Sequence, residues 1–227
     1  VTVAPAPSWA AVRAEVAGLL AAAERLEPEV RADAMREAQW LLEAALGWTP
    51  ATRAAQLLEG APPAAEAVAH VRRVAARRVA GEPLAYCVGT AAFRHLELQV
   101  DPRVLIPRPE TERVVEVALA CVADRPGGVA VDIGTGSGAI ALSLATEGRF
   151  DQVVATDVSA DALTVARANA EQVAARRTGG HRMAPVVFKE GAHWAPLAGV
   201  QARVIVSNPP YIAYDEAAAL PSSVRDW

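Results

Sequence analysis

Apolar positions recur at helical spacing through the first third of the chain, then at period two, then as short unbroken runs separated by further helical segments. Ser8 is placed to cap a helix running to about Leu26. Pro28 suits the first turn of a second helix that ends near Gly47, and Thr49 or Pro50 opens a shorter third. The clearest stripe is Val68, Val71, Ala75 and Val79, with Arg73 and Arg77 roughly opposite and Gly81 as a stop. Residues 1–81 are therefore expected to form a small helical bundle.

Past Glu82 the pattern changes. Gly89 separates Tyr86-Cys87-Val88 from Phe93, and Leu96, Leu98 and Val100 follow at period two, which predicts a hairpin connector over residues 82–109. Pro102, Pro107 and Pro109 end it, and helical spacing resumes through Val114, Val117, Ala118 and Cys121. From residue 110 to 227 strands and helices alternate. Strands are expected at Val129–Ile133, Gln152–Thr156, Pro185–Phe188 and Arg203–Val206, and helices at Ala139–Ala145 and Asp161–Ala175. Near-continuous apolar strands alternating with helices are the pattern of an α/β domain with a doubly wound parallel sheet.

Composition narrows this picture further. The chain has 227 residues, 52% of them hydrophobic and 21% charged, enough for one or two domains with a sizeable core. A net charge of −4 supplies no global basic field, so direct specific nucleic-acid binding is not expected. Arg72, Arg73, Arg77 and Arg78 are either a local patch for a partner or an ordinary solvated helix face. Cys87 and Cys121 form no CxxC pair, and His70, His95 and His181 have no partners at ligand spacing, so neither a disulfide nor a metal site is expected. The N-terminal residues lack the pattern of a secretory signal and no apolar run is long enough for a membrane span. A soluble, cytoplasmic protein, monomeric and with reduced thiols, is the expectation.

At the end of the strand closing on Ile133 stands Asp132-Ile133-Gly134-Thr135-Gly136-Ser137-Gly138. Glycines at 134, 136 and 138 let the backbone turn sharply and bring its amides close to a ligand at the start of the next helix. Taken alone, this loop does not separate a nicotinamide cofactor from S-adenosylmethionine, since Gly134, Gly136 and Ala139 also satisfy a dinucleotide pattern. Asp157, at the end of the following strand, is in register to accept both ribose hydroxyls of an adenosyl group. Asp132 favours the sulfonium cofactor, because a carboxylate there repels a pyrophosphate and tolerates a cationic amino-acid ligand.

After the last apolar strand comes Ser207-Asn208-Pro209-Pro210-Tyr211-Ile212. In an open α/β sheet this loop lies at the carboxyl ends of the strands, beside the glycine loop. The Asn208 side-chain carbonyl and the Pro209 backbone carbonyl can each accept from a planar NH2 group, and Tyr211 offers an aromatic face to the same plane. Two such acceptors fix the nitrogen with its π electrons toward a methyl group, which is catalysis by alignment rather than by a strong base.

Together, Glu82-Pro83-Leu84-Ala85-Tyr86, Val104-Leu105-Ile106-Pro107-Arg108-Pro109-Glu110-Thr111-Glu112, the glycine loop and Ser207–Ile212 resemble the peptide chain release factor glutamine methyltransferase family, in motif order from about Glu82 onward. The Asn-Pro-Pro-Tyr motif is shared with adenine-N6 and other amino-group methyltransferases, whereas its combination with the Ile-Pro-Arg-Pro-Glu-Thr-Glu segment is specific. The resemblance implies a Rossmann-like methyltransferase domain and methyl transfer from S-adenosylmethionine to the glutamine amide of the release factors' Gly-Gly-Gln motif. By that analogy Asp132, Gly134, Thr135, Gly136, Ser137, Gly138 and Asp157 hold the cofactor, with Asn208 beside it. Asn208, Pro209, Pro210 and Tyr211 hold the glutamine, and the helical bundle helps to dock the release factor. A ribosomal-protein glutamine and adenine-N6 in nucleic acid are the alternative acceptors. Arg108, Glu110 and Glu112 belong to the signature as either a salt-bridged connector or substrate contacts.

Two departures from the family pattern stand out. Where the family has an acid followed by two aromatics near the adenine, this chain reads Gly191-Ala192-His193-Trp194, leaving His193 or Trp194 to pack on the ring. The sequence also stops at Trp227, where the family continues to a seven-stranded sheet; missing sequence is the favoured reading. A protein that truly ended there is expected to be poorly stable and weakly active, since its last strand keeps an unpaired edge.

Overall fold

The computed structural model describes residues 7–59, 62–177 and 183–209. These fall into two compact units, one running to Val88 and one from Gly89.

The first unit is helical. Ser8 accepts a hydrogen bond from the Ala11 amide (3.2 Å) and caps α1 (Trp9–Ala22). This helix stops short of Leu26, although Leu26 is still buried in the bundle core. Glu27 is extended (ψ 145°), as the residue before a proline must be, so helical backbone cannot run into Pro28. The single helix expected from Pro28 to Gly47 is broken into α2 (Pro28–Ala32) and α3 (Ala34–Leu46). At the break the Asp33 carbonyl receives the amides of Arg36 and Glu37, starting a new helix. Gly47 ends α3 in the left-handed region (φ +64°), with the Trp48 amide returning to the Glu43 carbonyl at 2.8 Å. Then come α4 (Pro50–Glu59), α5 (Ala65–Val79) and α6 (Leu84–Val88).

Val12, Val16 and Leu20 of α1 pack with Leu41 and Leu42 of α3 and Val71 of α5. The arginine cluster on α5 is not one surface. Arg78 is buried and bonded to buried Glu37 (2.8 Å), Arg72 is paired with Glu15, and Arg77 with Glu82. The Tyr86-Cys87-Val88 run, expected to lead into the hairpin, is helical in α6. Arg77 receives it through the carbonyls of Tyr86 and Cys87.

The second unit opens with a hairpin, β1 (Thr90–Phe93) and β2 (Leu96–Gln99), closed by the two-residue turn Arg94-His95 with Arg94 at φ +52°. Next follow α7 (Pro109–Cys121), β3 (Val129–Ile133), α8 (Ala139–Glu147), β4 (Gln152–Asp157), α9 (Ala160–Arg176), β5 (Val186–Glu190) and β6 (Ala202–Ser207). The four later strands form a wholly parallel sheet in the order β5-β4-β3-β6, so the α/β expectation holds. Residues Ala139–Ala145 of α8 are buried without interruption, which makes this helix the centre of the second core.

Two features of this sheet position the site. Chain order runs outward from β3 through β4 to β5 and then returns to the other side of β3 with β6, so β3 and β6 flank a switch point where open α/β sheets bind ligands. Register then levels the loops. Ile133 pairs with Thr156 on one side and Ser207 on the other, which brings Gly134, Asp157 and Asn208 to one edge.

Candidate active site

A cleft of about 740 Å³ opens at that edge. Gly134 and Gly136 line it, and a Cβ added at either would meet no atom within 4 Å, so both glycines present bare backbone to the cleft. Their φ angles of +76° and +53° are the ones a side chain disfavours. Gly138 serves differently. It begins α8 at φ +85°, and a Cβ there would press on Ala166 and Leu142 at 3.3 Å, so it is required for close packing.

Asp157 closes the loop from the side. Its Oδ2 accepts the Gly136 amide (2.8 Å) and its Oδ1 the Ser159 amide (3.0 Å). Each oxygen accepts only one of these bonds, which leaves lone pairs for further donors in the cleft. Apolar walls continue from there. Leu105, Val158, Trp194 and Ile205, all large hydrophobics exposed to solvent, converge on this cleft. Such convergence is unusual for a surface and suits a flat, uncharged ring. His193 lines the same wall from a left-handed backbone (φ +48°), whereas Ala192 does not line it.

Asp132 lies elsewhere than a ligand-facing position at the strand tip. It is fully buried beneath the loop, where Oδ2 accepts the Thr135 hydroxyl (2.6 Å) and the Ala141 amide (3.1 Å). Burial pushes its carboxyl up to about 6, against the lowering by those two bonds and with a further push from the Asp157 charge. Its Oδ1 has no hydrogen-bond partner among the described residues. Thr135 and Ser137 are buried too, and the Ser137 carbonyl accepts from Asn169 at 2.9 Å.

Asn208 and Pro209 stand on the opposite lip, with Asn208 also bordering a smaller cavity beside Arg108 and Thr111. The Asn208 Nδ2 donates to the Thr111 hydroxyl at 2.9 Å. Ser207 is tied to the Ile133 carbonyl at 2.8 Å, which fixes the strand end next to the glycine loop. Pro210 and Tyr211 lie outside the described residues.

Of the signature acids, Glu112 is a connector. Its carboxylate accepts the Arg94 amide (2.9 Å), and Arg94 grips Glu147 with two bonds of 2.7 Å. Glu110 and Arg108 are exposed. Sequence reasoning missed Asn169, which donates to the carbonyls of Ser137 and Gln99 and accepts the Gln99 amide. A signal existed, since Asn169 falls on the buried stripe of α9 with Ala162, Ala166 and Val173. Thr111 stands in the signature segment, but nothing in its spacing reveals the contact with Asn208.

The site thus joins backbone amides, two carboxylates near one loop and apolar walls. Asp157 faces the cleft, where its carboxylate suits the ribose hydroxyls of an adenosyl group, whereas Asp132 lies buried beneath the loop. A parallel sheet with these loops at its carboxyl edge is the arrangement of a nucleotide-binding α/β domain.

The comparisons with known proteins narrow the class. Residues 19–89 match the family described as PrmC N-terminal domain, and residues 112–220 match the methyltransferase small domain. The release factor glutamine methyltransferase of Burkholderia pseudomallei is 44% identical over 78% of this chain and 61% of its own length. Those of Bordetella pertussis (41%, over 83% of this chain and 66% of the relative) and Geobacter sulfurreducens (40%, over 86% and 64%) are similar. Among solved structures, the ribosomal protein L11 methylase of Lactobacillus delbrueckii subsp. bulgaricus overlays with a TM-score of 0.41 at 20% identity, covering 60% of this chain and 73% of that one. Over 78–86% of its length the chain is thus 40–44% identical to release factor glutamine methyltransferases, and it spans less than two thirds of the length of these curated relatives.

Proposed function

We propose that this protein transfers a methyl group from S-adenosylmethionine to the side-chain amide nitrogen of the glutamine in the Gly-Gly-Gln motif of peptide chain release factors, in the cytoplasm. The observation that carries this reading is that Asn208 and Pro209 line the same cleft as Gly134, Gly136 and Asp157. Relatives 40–45% identical are release factor glutamine methyltransferases, which supports the same acceptor.

When bound, the cofactor supplies an electrophilic methyl group on a sulfonium sulfur. The chain's own residues align the partners. Asp157 would take the ribose hydroxyls with the lone pairs left by Gly136 and Ser159, and Val158, His193 and Trp194 would flank the adenine. Asn208 Oδ1 and the Pro209 carbonyl each accept one hydrogen of the glutamine amide. The nitrogen's π electrons then face the methyl carbon. The sulfonium would supply its methyl carbon to that nitrogen and keep the electron pair of the carbon–sulfur bond. The methylated nitrogen sheds its surplus proton to water, so no strong base is needed. The catalytic gain lies in orientation, which is worth several kcal/mol when two reactants are held in a near-attack geometry. In this reading the helical bundle docks the release factor.

Incubation with labelled S-adenosylmethionine and, separately, an unmethylated release factor, ribosomal proteins, DNA or RNA tests the proposal. Label in the release factor alone is the expected result. Label in a ribosomal protein or a nucleic acid overturns the acceptor.

A further inference from the structure

The cleft contains an amide whose two ends are chemically opposite and nearly the same size. A free asparagine side chain can present either its carbonyl or its NH2 to a neighbour, and only the carbonyl can receive a hydrogen of the acceptor amide. We propose that Thr111 is a positioning residue that holds the Asn208 amide, by accepting from its NH2, in the orientation that leaves its carbonyl free for the acceptor nitrogen. This inference rests on the proposed glutamine chemistry for its consequence in rate, though not for the contact itself.

Several observations support it. Asn208 Nδ2 donates to the Thr111 hydroxyl at 2.9 Å, with Thr111 buried and Asn208 half-buried. Thr111 lies in the first turn of α7, where its backbone amide is fixed to the Arg108 carbonyl at 3.0 Å. The next residue, Glu112, is anchored at both ends. Its carboxylate holds the Arg94 amide and its carbonyl receives the Arg94 guanidinium (3.3 Å), while Arg94 is bidentate to Glu147 of α8. The threonine hydroxyl is therefore held by a chain of bonds running from the hairpin turn through α7 and α8. On the other side, Ser207 pins the end of β6 to β3. Both partners of the 2.9 Å contact are fixed by the frame, as a device that orients one side chain requires. The Asn-Pro-Pro turn and the Ile-Pro-Arg-Pro-Glu-Thr-Glu segment, far apart in sequence, meet at this bond.

Thr111→Val keeps the shape and removes the oxygen, whereas Thr111→Ser keeps the oxygen and removes the methyl group. With the release factor as acceptor, Thr111→Val is expected to lower kcat by about 10- to 100-fold, the range for a misplaced aligning group, because the acceptor bonds strengthen as charge develops on nitrogen. Cofactor Kd and thermal midpoint should stay close to wild type. Thr111→Ser should restore kcat to within about threefold, as a retained hydroxyl bond implies. A serine variant as slow as the valine variant would assign the effect to packing, and a loss that tracks cofactor affinity would assign it to the loop; either overturns the proposal. The side-chain amide protons of Asn208, followed by NMR, read the contact without any turnover. They should shift in Thr111→Val and return in Thr111→Ser, and unchanged resonances would overturn the proposal as well. If wild-type protein methylates no release factor, the functional reading fails, while the NMR result still decides the role of Thr111.

Discussion

Asn208 and Asp132 show opposite limits of reading single residues. Asn208 was legible because its chemistry depends on type and loop position alone, and replacing it with alanine should lower the methylation rate by about 100-fold. Single-turnover kinetics with saturating cofactor would check this, and a rate within threefold of wild type would refute it. Asp132 was legible as an acid beside the glycine loop but not in its direction. Side chains alternate along a strand, and Ile133 lines the cleft, so Asp132 points to the other face, onto α8. A strand buried on both faces hides that parity from hydropathy. The consequence is a pH signature. With its carboxyl raised from 3.8 in the unfolded chain to about 6, Asp132 binds more proton in the folded state between those values, so its contribution to stability falls as pH rises through the window and then levels. Urea unfolding of wild type and Asp132→Asn at pH 4 and pH 7 should show the difference moving in favour of the variant by up to about 3 kcal/mol. A pH-independent difference would contradict this burial account.

Elements were more legible in the second unit than in the first. β3 is found at its expected bounds, and β4, α8 and α9 run only one or two residues further, because apolar runs bounded by glycine and aspartate leave little freedom. In the alanine-rich bundle the helical pattern has few interruptions, so breaks set by local bonding were missed. The stop before Pro28, the new start at Asp33 and the short α6 are of this kind. The hairpin is joined to the sheet's loops by polar contacts that no periodicity reveals. Asn169 of α9 is fully buried and bonded to both backbone groups of Gln99 at the end of β2 and to the carbonyl of Ser137 in the glycine loop. Asn169→Ala would strand these groups and should destabilise the second unit by about 3 kcal/mol, with weaker cofactor binding as the loop loosens. Chemical denaturation and calorimetric titration would measure the two effects, and a loss below about 0.5 kcal/mol would show that the network carries little.

At the scale of the whole molecule, the chain divides into two compact units, and the cysteines report on them separately. Cys87 is buried in the first unit with its thiol pushed up to about 12, chiefly by burial, whereas Cys121 is exposed on α7. A thiol reagent under native conditions should label Cys121 quickly and Cys87 only when the bundle opens, and rapid labelling of both would contradict the packing of the first unit. The arginines of α5 were legible as charges but not as partners, since Glu15 and Glu37 come from α1 and α3 and Glu82 from the turn after α5, beyond the helical stripe. The acceptor of the methyl group is the central claim, and the mass spectrum of the Gly-Gly-Gln peptide from an unmethylated release factor, after incubation with this protein and S-adenosylmethionine, tests it most directly. The account predicts a single added methyl group, located by fragmentation on the glutamine side chain, and little of it with Asn208→Ala. An unmodified glutamine beside bound cofactor, or a methyl group on another residue, would contradict it.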